Sequence, residues 1–298
     1  MNYNILGKSD LRISEIAFGC MSLNGDDAAN ATLVSRAIEL GINFFDTADL
    51  YDHGRNEASL GKALRGKRQD VIIATKVGNQ WRPDGSGWDW NPRKEYIVTA
   101  VEDSLRRLQT DYIDLYQLHG GTVDDPIEES IDAFELLKQQ GKIRHYGISS
   151  IRPNVIREYL RKSNIVSVMM QYSLLDRRPE EFCLPLLLEQ NVGVLARGGV
   201  AKGLLAGKPP AEYLNYNLLD VATAAKQVAA LSGAERVPAQ TALRFVLQNP
   251  AISAAVVGIR TREQLEEAAG TPGTPPLKDS EMDILRQAIR INLYDQHR

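Results

Sequence analysis

Cysteine is scarce in this chain of 298 residues, which contains only Cys20 and Cys183. Two cysteines are too few for a disulfide framework, and the lack of a C-x-x-C pair argues against a zinc site built from thiolates. We therefore expect a protein of a reducing compartment and predict a cytoplasmic location.

Long apolar runs and an excess of charge of one sign are also missing. No run reaches the roughly 18 apolar residues of a membrane-spanning helix, and residues 1–19 lack the basic and apolar regions of a signal peptide. The net charge is −3 with 24% charged residues, which argues against disorder and against a nucleic-acid partner. With 43% hydrophobic residues, we predict one globular domain over residues 1–298 that contacts no membrane.

Strand-like and helix-like segments alternate along the chain. Short apolar segments predict strands at 14–19, 42–48, 70–76, 111–119, 143–150, 165–175, 192–199 and 253–259. Helical patterns are found at 27–40, 56–66, 126–140, 153–162, 179–190, 218–249, 261–270 and 280–292. Asn91 and Pro92 predict the start of a further helix, with the asparagine as its cap. Eight strands that are each followed by a helix are typical of a closed parallel barrel.

A doubly wound open sheet is the other fold with such alternation. It normally has a glycine-rich turn after its first strand, whereas residues 19–22 here are Gly-Cys-Met-Ser. We therefore predict an α/β fold, the (β/α)8 or TIM barrel. A turn signal between two extended segments in residues 3–14 predicts an N-terminal β-hairpin that closes the bottom of the barrel, and the last two helices are extra C-terminal ones.

Four polar residues stand at or after predicted strand ends. Asp46 lies near the end of the second strand with Tyr51 five residues later, Lys76 ends the third strand and His119 ends the fourth. In a barrel, such positions point to the active-site face. A single lysine or histidine there is usually structural, but four ionisable residues at corresponding positions indicate one site. We call these four residues the tetrad.

The acid–base properties of the tetrad indicate proton delivery to a carbonyl group. A tyrosine hydroxyl normally releases its proton near pH 10, but a neighbouring ammonium stabilises the phenolate that remains. Lys76 suits that role with Asp46 holding its charge, while His119 can donate a hydrogen bond to a carbonyl oxygen. The sequence has no activated nucleophile and no cluster of metal ligands. Proton delivery to a carbonyl therefore points to hydride transfer from a nicotinamide or flavin.

Six stretches of the sequence resemble the aldo-keto reductase family, and the resemblance spans essentially the whole chain. They are GINFFDTADLY (41–51), IATK (73–76), DYIDLYQLH (111–119), GISS (147–150), KGLLAGK (202–208) and GIRTREQLEEA (258–268). The sequence is most similar to the bacterial branch of general-stress and sugar-type reductases. The spacing of the tetrad is that of the family's catalytic residues.

The resemblance implies a role for each member of the tetrad. Tyr51 is the general acid in carbonyl reduction, Lys76 assists it, Asp46 pairs with the lysine and His119 orients the carbonyl. The family uses NADPH/NADP without a metal ion, bound across the top of the barrel. The implied cofactor contacts are Ser149, Ser150, Gln171, Arg197, Gly198, Val200, Lys202, Gly258, Arg260, Gln264 and Glu267.

Some of these contacts carry a more specific expectation. Ser149 and Ser150 match the pair that binds the nicotinamide carboxamide, although Ser150 replaces the usual asparagine. Arg260 matches the residue that meets the 2′-phosphate, which a guanidinium suits. Lys202 is either a pyrophosphate contact or a solvated side chain.

Two positions depart from the family near the nicotinamide. Met169 stands where the family has a glutamine, and Gln171, two residues further along the same strand face, is either its substitute or a polar residue satisfied inside the barrel. Arg197 stands where the family has a stacking aromatic residue, and a planar guanidinium can also stack. Because oxidised nicotinamide is cationic, we expect Arg197 to favour the reduced cofactor.

The substrate side departs from the family as well. Gly120 and Gly121 follow the histidine where the family often has tryptophan, and His53 lies in a loop where we expect a solvated side chain. The loop 77–92 carries all three tryptophans, Trp81, Trp88 and Trp90. They form either a local cluster that holds the loop down or an apolar wall over the substrate.

The sequence therefore predicts an NADPH-dependent oxidoreductase that reduces small aldehydes or ketones to alcohols. A cofactor-binding regulatory subunit, resembling the β subunits of potassium channels, is the alternative, since those proteins keep the tetrad. A metal-dependent barrel hydrolase is disfavoured because the strand ends lack a ligand cluster. The substrate, the direction of reaction in the cell and a monomeric or homo-oligomeric state stay open.

Overall fold

A computed structural model describes residues 1–23 and 26–298. The strands within these ranges are β1 (Tyr3–Ile5), β2 (Arg12–Ser14), β3 (Ile16–Gly19), β4 (Phe44–Asp46), β5 (Ile72–Val77), β6 (Asn79–Trp81), β7 (Trp88–Trp90), β8 (Ile113–Leu118), β9 (Ile143–Ser149), β10 (Ser167–Gln171), β11 (Gly193–Arg197) and β12 (Ile252–Gly258). The α-helices are α1 (Asp27–Glu39), α2 (Arg55–Ala63), α3 (Lys94–Leu108), α4 (Ile127–Gln139), α5 (Pro153–Lys162), α6 (Cys183–Glu189), α7 (Leu218–Ala230), α8 (Pro238–Leu247), α9 (Arg262–Gly270) and α10 (Asp279–Gln287).

Strands β3, β4, β5, β8, β9, β10, β11 and β12 form a closed parallel barrel in this order, and β12 pairs with β3 to close it. Side chains alternate across the barrel wall. Ala17 of β3 belongs to the apolar cluster inside the barrel, whereas its neighbours Ile16 and Phe18 belong to the cluster under the helices. Apolar residues are buried on both faces of the wall, which explains the nearly continuous apolar strands. The predicted TIM barrel is confirmed.

The predicted N-terminal hairpin is confirmed and closes one end of the barrel. Strands β1 and β2 pair antiparallel, and Leu6, Leu11 and Ile13 enter the interior cluster with at most 1% exposure. Gly7 has a φ of +54°, and a Cβ there would lie 2.3 Å from the carbonyl oxygen of Val166, just before β10. The hairpin therefore fills the N-terminal end of the strands, and the C-terminal end stays available for a site.

Two predicted elements in the second half of the chain have the wrong bounds. The predicted helix 218–249 is two helices, α7 and α8, because Gly233 turns the chain and Pro238 starts the second helix without a backbone N–H. The predicted strand 165–175 ends at Gln171, before the tight turn that joins Ser173 and Asp176.

The segment around Asn91 and Pro92 also differs from the prediction. The loop 77–92 contains a second hairpin, β6 and β7, and α3 begins at Lys94 with Arg93 at its N-cap. Asn91 accepts a hydrogen bond from the backbone N–H of Arg93 at 3.2 Å, so it stabilises the turn before the helix. Similarly, the predicted helix 179–190 starts as a 3-10 turn before α6, and the predicted helix 280–292 ends at Gln287.

Cys20 and Cys183 are both free, buried thiols. Among the described residues, no helix combines the length and the apolar character that crossing a membrane requires.

Candidate active site

The tetrad assembles at the C-terminal end of the barrel strands. Asp46 is the last residue of β4, Lys76 lies in β5 and His119 directly follows β8. Tyr51 begins a short 3-10 turn after β4, and this turn brings its hydroxyl back over the strand ends. The site therefore lies opposite the N-terminal hairpin, where barrel strands present their functional side chains.

Lys76 is the centre of the tetrad. Its side chain is 1% exposed, and its Nζ donates to Asp46 Oδ2 at 2.8 Å, to the carbonyl oxygen of Thr47 at 2.7 Å and to Tyr51 Oη at 3.4 Å. These three acceptors use all three protons of the ammonium group. The lysine is thereby fixed between a carboxylate and the tyrosine hydroxyl.

The charge on Lys76 is maintained by its partners. Burial alone would lower the pKa of Lys76, but the Asp46 carboxylate and the Tyr51 hydroxyl outweigh it, so the pKa lies above its ordinary value. Gln117 gives Asp46 a further, long contact at 3.5 Å between Nε2 and Oδ1. The pair is therefore a buried ion pair with hydrogen bonds on both sides.

His119 completes the tetrad as a neutral imidazole. Its ring lies edge-on to the ring of Tyr51, with centroids 5.7 Å apart and an interplanar angle of 80°. Burial, with the nearby cations Lys76 and Arg197, lowers the pKa of His119 to about 3. Its Nδ1 is buried without a hydrogen-bond partner in the described part of the chain. A neutral ring with one N–H can donate to a carbonyl oxygen without bringing a charge to it.

The predicted cofactor residues lie at the ends of the neighbouring strands. Ser149 ends β9, Gln171 ends β10, Arg197 ends β11 and Gly258 ends β12. Ser150 is 6% exposed, and its hydroxyl accepts a hydrogen bond from the backbone N–H of the second residue after it. The barrel thus brings together at one edge residues that are more than a hundred positions apart in sequence.

Gln171 has a definite contact pattern that sequence reasoning left open. Its Oε1 accepts from Arg197 Nη1 at 3.0 Å, and its Nε2 donates to Tyr213 Oη at 3.1 Å. Met169 is 2% exposed and belongs to the interior cluster, so Gln171 is the one of the two that reaches the rim. Sequence reasoning missed Tyr213, although two tyrosines spaced three apart in a polar loop, Tyr213 and Tyr216, were a signal.

Residues after β11 and β12 form the outer part of this edge. Lys202 and Arg260 are exposed, while Gly198 and Val200 are half-buried. The backbone N–H of Arg260 donates to Gln264 Oε1 at 3.0 Å. The backbone oxygen of Glu267 accepts from Gln240 Nε2. Gln264 therefore fixes the loop before α9 and leaves the guanidinium of Arg260 in solvent.

The three tryptophans occupy one face of the hairpin β6–β7 but have different surroundings. Trp81 stacks on His53 with ring centroids 3.7 Å apart, and Trp88 is 47% exposed. Trp90 donates from Nε1 to Asp125 Oδ2 at 3.0 Å. His53 is exposed, as expected for a loop residue, but its ring is fixed by the stack. The three tryptophans therefore do not form one cluster.

Trp90 fills a space that three glycines leave open. A Cβ on Gly78 would lie 2.6 Å from the indole ring, and on Gly120 and Gly121 it would lie 3.5 Å and 3.7 Å from the ring. All three glycines have φ between +119° and +151°, which favours glycine at these positions. The indole thus packs against the two glycines that directly follow His119.

The chain is similar over nearly its whole length to known proteins. The Aldo/keto reductase family profile matches residues 15–290. The Bacillus subtilis "Uncharacterized oxidoreductase YqkF" is 49% identical over 302 residues, with 98% of each chain covered. The structure of "aldo-keto reductase AKR11C1 from Bacillus halodurans (holo form)" has a TM-score of 0.94 at 50% identity, covering 100% of this chain and 99% of that one. A Schizosaccharomyces pombe relative, "Aldo-keto reductase yakc [NADP(+)]", is 28% identical, covering 93% of this chain and 88% of its own. The chain therefore belongs to the aldo/keto reductase family of oxidoreductases.

Proposed function

We propose that the protein reduces the carbonyl group of small aldehydes or ketones with NADPH, and that Tyr51 is the general acid. The observation that carries this proposal is the position of Lys76 Nζ, 2.8 Å from Asp46 Oδ2 and 3.4 Å from Tyr51 Oη. An ammonium held at a tyrosine hydroxyl stabilises the phenolate that forms when the proton leaves.

Each residue of the tetrad contributes a separate part of the proton transfer. His119, which is neutral, donates its N–H to the substrate oxygen and orients it beside the hydroxyl of Tyr51. Tyr51 gives its proton to that oxygen as negative charge develops on it. Lys76 then stabilises the phenolate, and Asp46 keeps Lys76 charged and in place.

The strand edge fits a dinucleotide with phosphate groups. Gly258 keeps the end of β12 free of a side chain, and a Cβ there would lie 2.8 Å from Ser22 Oγ. Arg197 and Arg260 present exposed guanidinium groups that suit phosphate oxygens or a stacked ring. Ser149, Ser150 and Gln171 offer polar groups for a carboxamide; Gly198, Val200, Lys202, Gln264 and Glu267 complete the proposed contacts. When bound, the nicotinamide supplies the hydride. The NADP(+) in the name of the Schizosaccharomyces pombe relative supports the choice of cofactor.

The tryptophan hairpin is proposed as the wall on the substrate side. His53 lies two residues after Tyr51, and Trp81 stacks directly on it. Trp90 holds the hairpin against the glycines that follow His119, and Trp88 lies at its exposed end. An aromatic wall at this place favours substrates with an apolar or flat body next to the carbonyl group.

The proposed function is tested by NADPH oxidation with a panel of carbonyl compounds: methylglyoxal, glyceraldehyde, nitrobenzaldehyde and a simple sugar, with NADH run beside each. We expect turnover of at least one aldehyde and a preference for NADPH, because Arg260 presents an exposed guanidinium to the 2′-phosphate. Slow turnover of every compound, together with a protein that co-purifies, would favour the regulatory alternative. Equal use of NADH would contradict the role of Arg260.

Arg197 gives a second test at the cofactor edge. Its guanidinium is fixed by Gln171, and a fixed positive charge beside the nicotinamide disfavours the oxidised ring. We expect Arg197→Tyr to raise affinity for NADP⁺ relative to NADPH by about fivefold, since one charge pair at close range in a wet site is worth about 1 kcal/mol. The matched control Arg197→Lys keeps the charge and should keep the ratio. An unchanged ratio in Arg197→Tyr, measured by fluorescence titration, would show that Arg197 has no such effect.

We also propose that the protein works in the cytoplasm on a small carbonyl substrate. The two buried free thiols support a reducing compartment.

A further inference from the structure

Asp49 is a buried carboxyl group next to the tetrad that the reaction above does not use. It lies three residues after Asp46 and two before Tyr51, in the turn that carries the tyrosine. It is 7% exposed, and its backbone N–H donates to the carbonyl oxygen of Lys76 at 3.3 Å. The carboxyl group is therefore built into the segment that connects three members of the tetrad.

The contacts around Asp49 suit a protonated carboxyl group. Asp49 Oδ2 lies 3.5 Å from Tyr96 Oη, and the same hydroxyl lies 3.4 Å from the carbonyl oxygen of Asn79. Burial, with the nearby Asp49, raises the pKa of Tyr96, so this hydroxyl keeps its single proton. With Asp49 ionised, the single proton of Tyr96 serves either Asp49 or the carbonyl oxygen of Asn79; with Asp49 protonated, each of these two long contacts can have a proton of its own.

No cation within the described residues forms an ion pair with Asp49. Its Oδ1 is buried without a hydrogen-bond partner in these same parts of the chain. Arg107 is bound to the fully buried Glu57, 2.6 Å from its Oε2, and Lys76 is used by the tetrad. The titratable groups around Asp49 are Glu57 on α2, Tyr96 and Arg107 on α3, Lys76 on β5 and Tyr116 on β8. Burial and the nearby Glu57 raise the pKa of Asp49 to about 8, against the opposing effects of Arg107, the backbone N–H of Leu50 and Lys76.

We propose that Asp49 is a positioning residue that holds a proton at neutral pH and that weakens the support of Lys76 for Tyr51 when it loses that proton. This proposal rests on the proposed function of Tyr51. On ionisation the proton passes to solvent, and a carboxylate appears close enough to the ammonium of Lys76 to interact with its charge. This new charge attracts the ammonium and disfavours a phenolate on Tyr51, so both effects oppose proton donation to the substrate.

The direction in which stability and activity change with pH follows from Asp49 being neutral in the folded protein. Asp49 is a carboxylic acid in the folded protein up to about pH 8, whereas it is ionised above about pH 4 in the unfolded chain. The protonated form of Asp49 therefore contributes to the free energy of unfolding. This contribution is fully present below about pH 4 and is lost as the pH rises towards 8. The rate of carbonyl reduction depends only on the pKa of Asp49 in the folded protein, so this rate should begin to decrease near pH 8.

The isosteric variant Asp49→Asn tests the proposal through kcat/KM for aldehyde reduction at pH 6 to 10. We expect the wild-type rate to fall about tenfold more between pH 7 and 9 than the rate of the variant, while the two agree near pH 6.5 within about threefold. Identical pH profiles would overturn the positioning role and leave the function of Tyr51 standing.

A readout without turnover separates the two proposals. The infrared band of a protonated carboxyl group should be present in the wild-type protein at pH 7, disappear by pH 9 and be absent from Asp49→Asn. Denaturant unfolding gives a second measurement of the proton on Asp49. Because only the folded wild type binds this proton, its unfolding constant relative to that of the variant should rise about tenfold per pH unit between pH 4 and 8. If Asp49→Asn does not fold, the wild-type band still decides, since its absence at pH 7 would overturn the proposal.

Discussion

Replacing Tyr51 by phenylalanine is expected to reduce kcat for aldehyde reduction by about 10²- to 10⁴-fold, the usual contribution of a general acid. The variant loses one hydroxyl group, and with it the only proton donor that Lys76 contacts within the described residues. The aromatic ring stays available to pack against His119. The loss should therefore lie in the chemical step, measured as single-turnover oxidation of bound NADPH.

The affinity for NADPH separates a chemical defect from a folding defect in this variant. We expect the dissociation constant for NADPH to change by less than about threefold, because Tyr51 is not among the proposed cofactor contacts. Tyr112→Phe is the matched control, since Tyr112 lies on the outside of the barrel with its hydroxyl 3.4 Å from Gln69 Oε1. It should retain wild-type turnover. Full activity in Tyr51→Phe would refute the proposed mechanism.

Replacing Lys76 by methionine is expected to reduce activity and stability together. Methionine has a similar volume but removes the ammonium, so Asp46 is left buried at 4% exposure without its cation. Breaking a buried ion pair from one side costs about 3–5 kcal/mol. The free energy of unfolding at pH 7 should fall by that amount. The deficit should be smaller at pH 4, where the unfolded chain no longer gains from ionising Asp46.

The double variant Lys76→Met/Asp46→Asn separates the two roles of the lysine. Removing the uncompensated carboxylate should recover most of the lost unfolding free energy. Activity should stay at the level of the single variant, because no cation supports the Tyr51 hydroxyl. Recovery of activity in the double variant would show that Lys76 only serves to hold the fold. Denaturant unfolding and steady-state NADPH oxidation give the two measurements.

The barrel and the relative placement of the tetrad could be predicted from the sequence because both depend on strand ends. Alternation of strands and helices implies parallel strands, and parallel strands bring their carboxyl ends to one side. Asp46, Lys76 and His119 were therefore placed together without any knowledge of distances. Their hydrogen bonds required coordinates, since a lysine at a strand end can also point to solvent.

The contacts that the sequence did not predict join segments far apart in the chain. The stack of His53 on Trp81 depends on two turns meeting, and both Asp52 and His53 have positive φ, which remains uncommon even for aspartate and histidine. The bond from Gln171 to Tyr213 depends on how a loop returns over a strand end. Such contacts follow from loop conformation, which the periodicity of apolar residues does not encode.

The fit of Trp90 to its glycines has a consequence for how this wall can evolve. Any side chain at residue 78 would collide with the indole, and positive φ at 120 and 121 penalises most replacements there before any contact is made. Loss of the indole alone would open a cavity over the same glycines. Single mutations are therefore deleterious both at the glycines and at Trp90. A lineage that moves its tryptophan from this hairpin to the position after His119 must pass through paired changes, so the two arrangements are separated by a fitness valley.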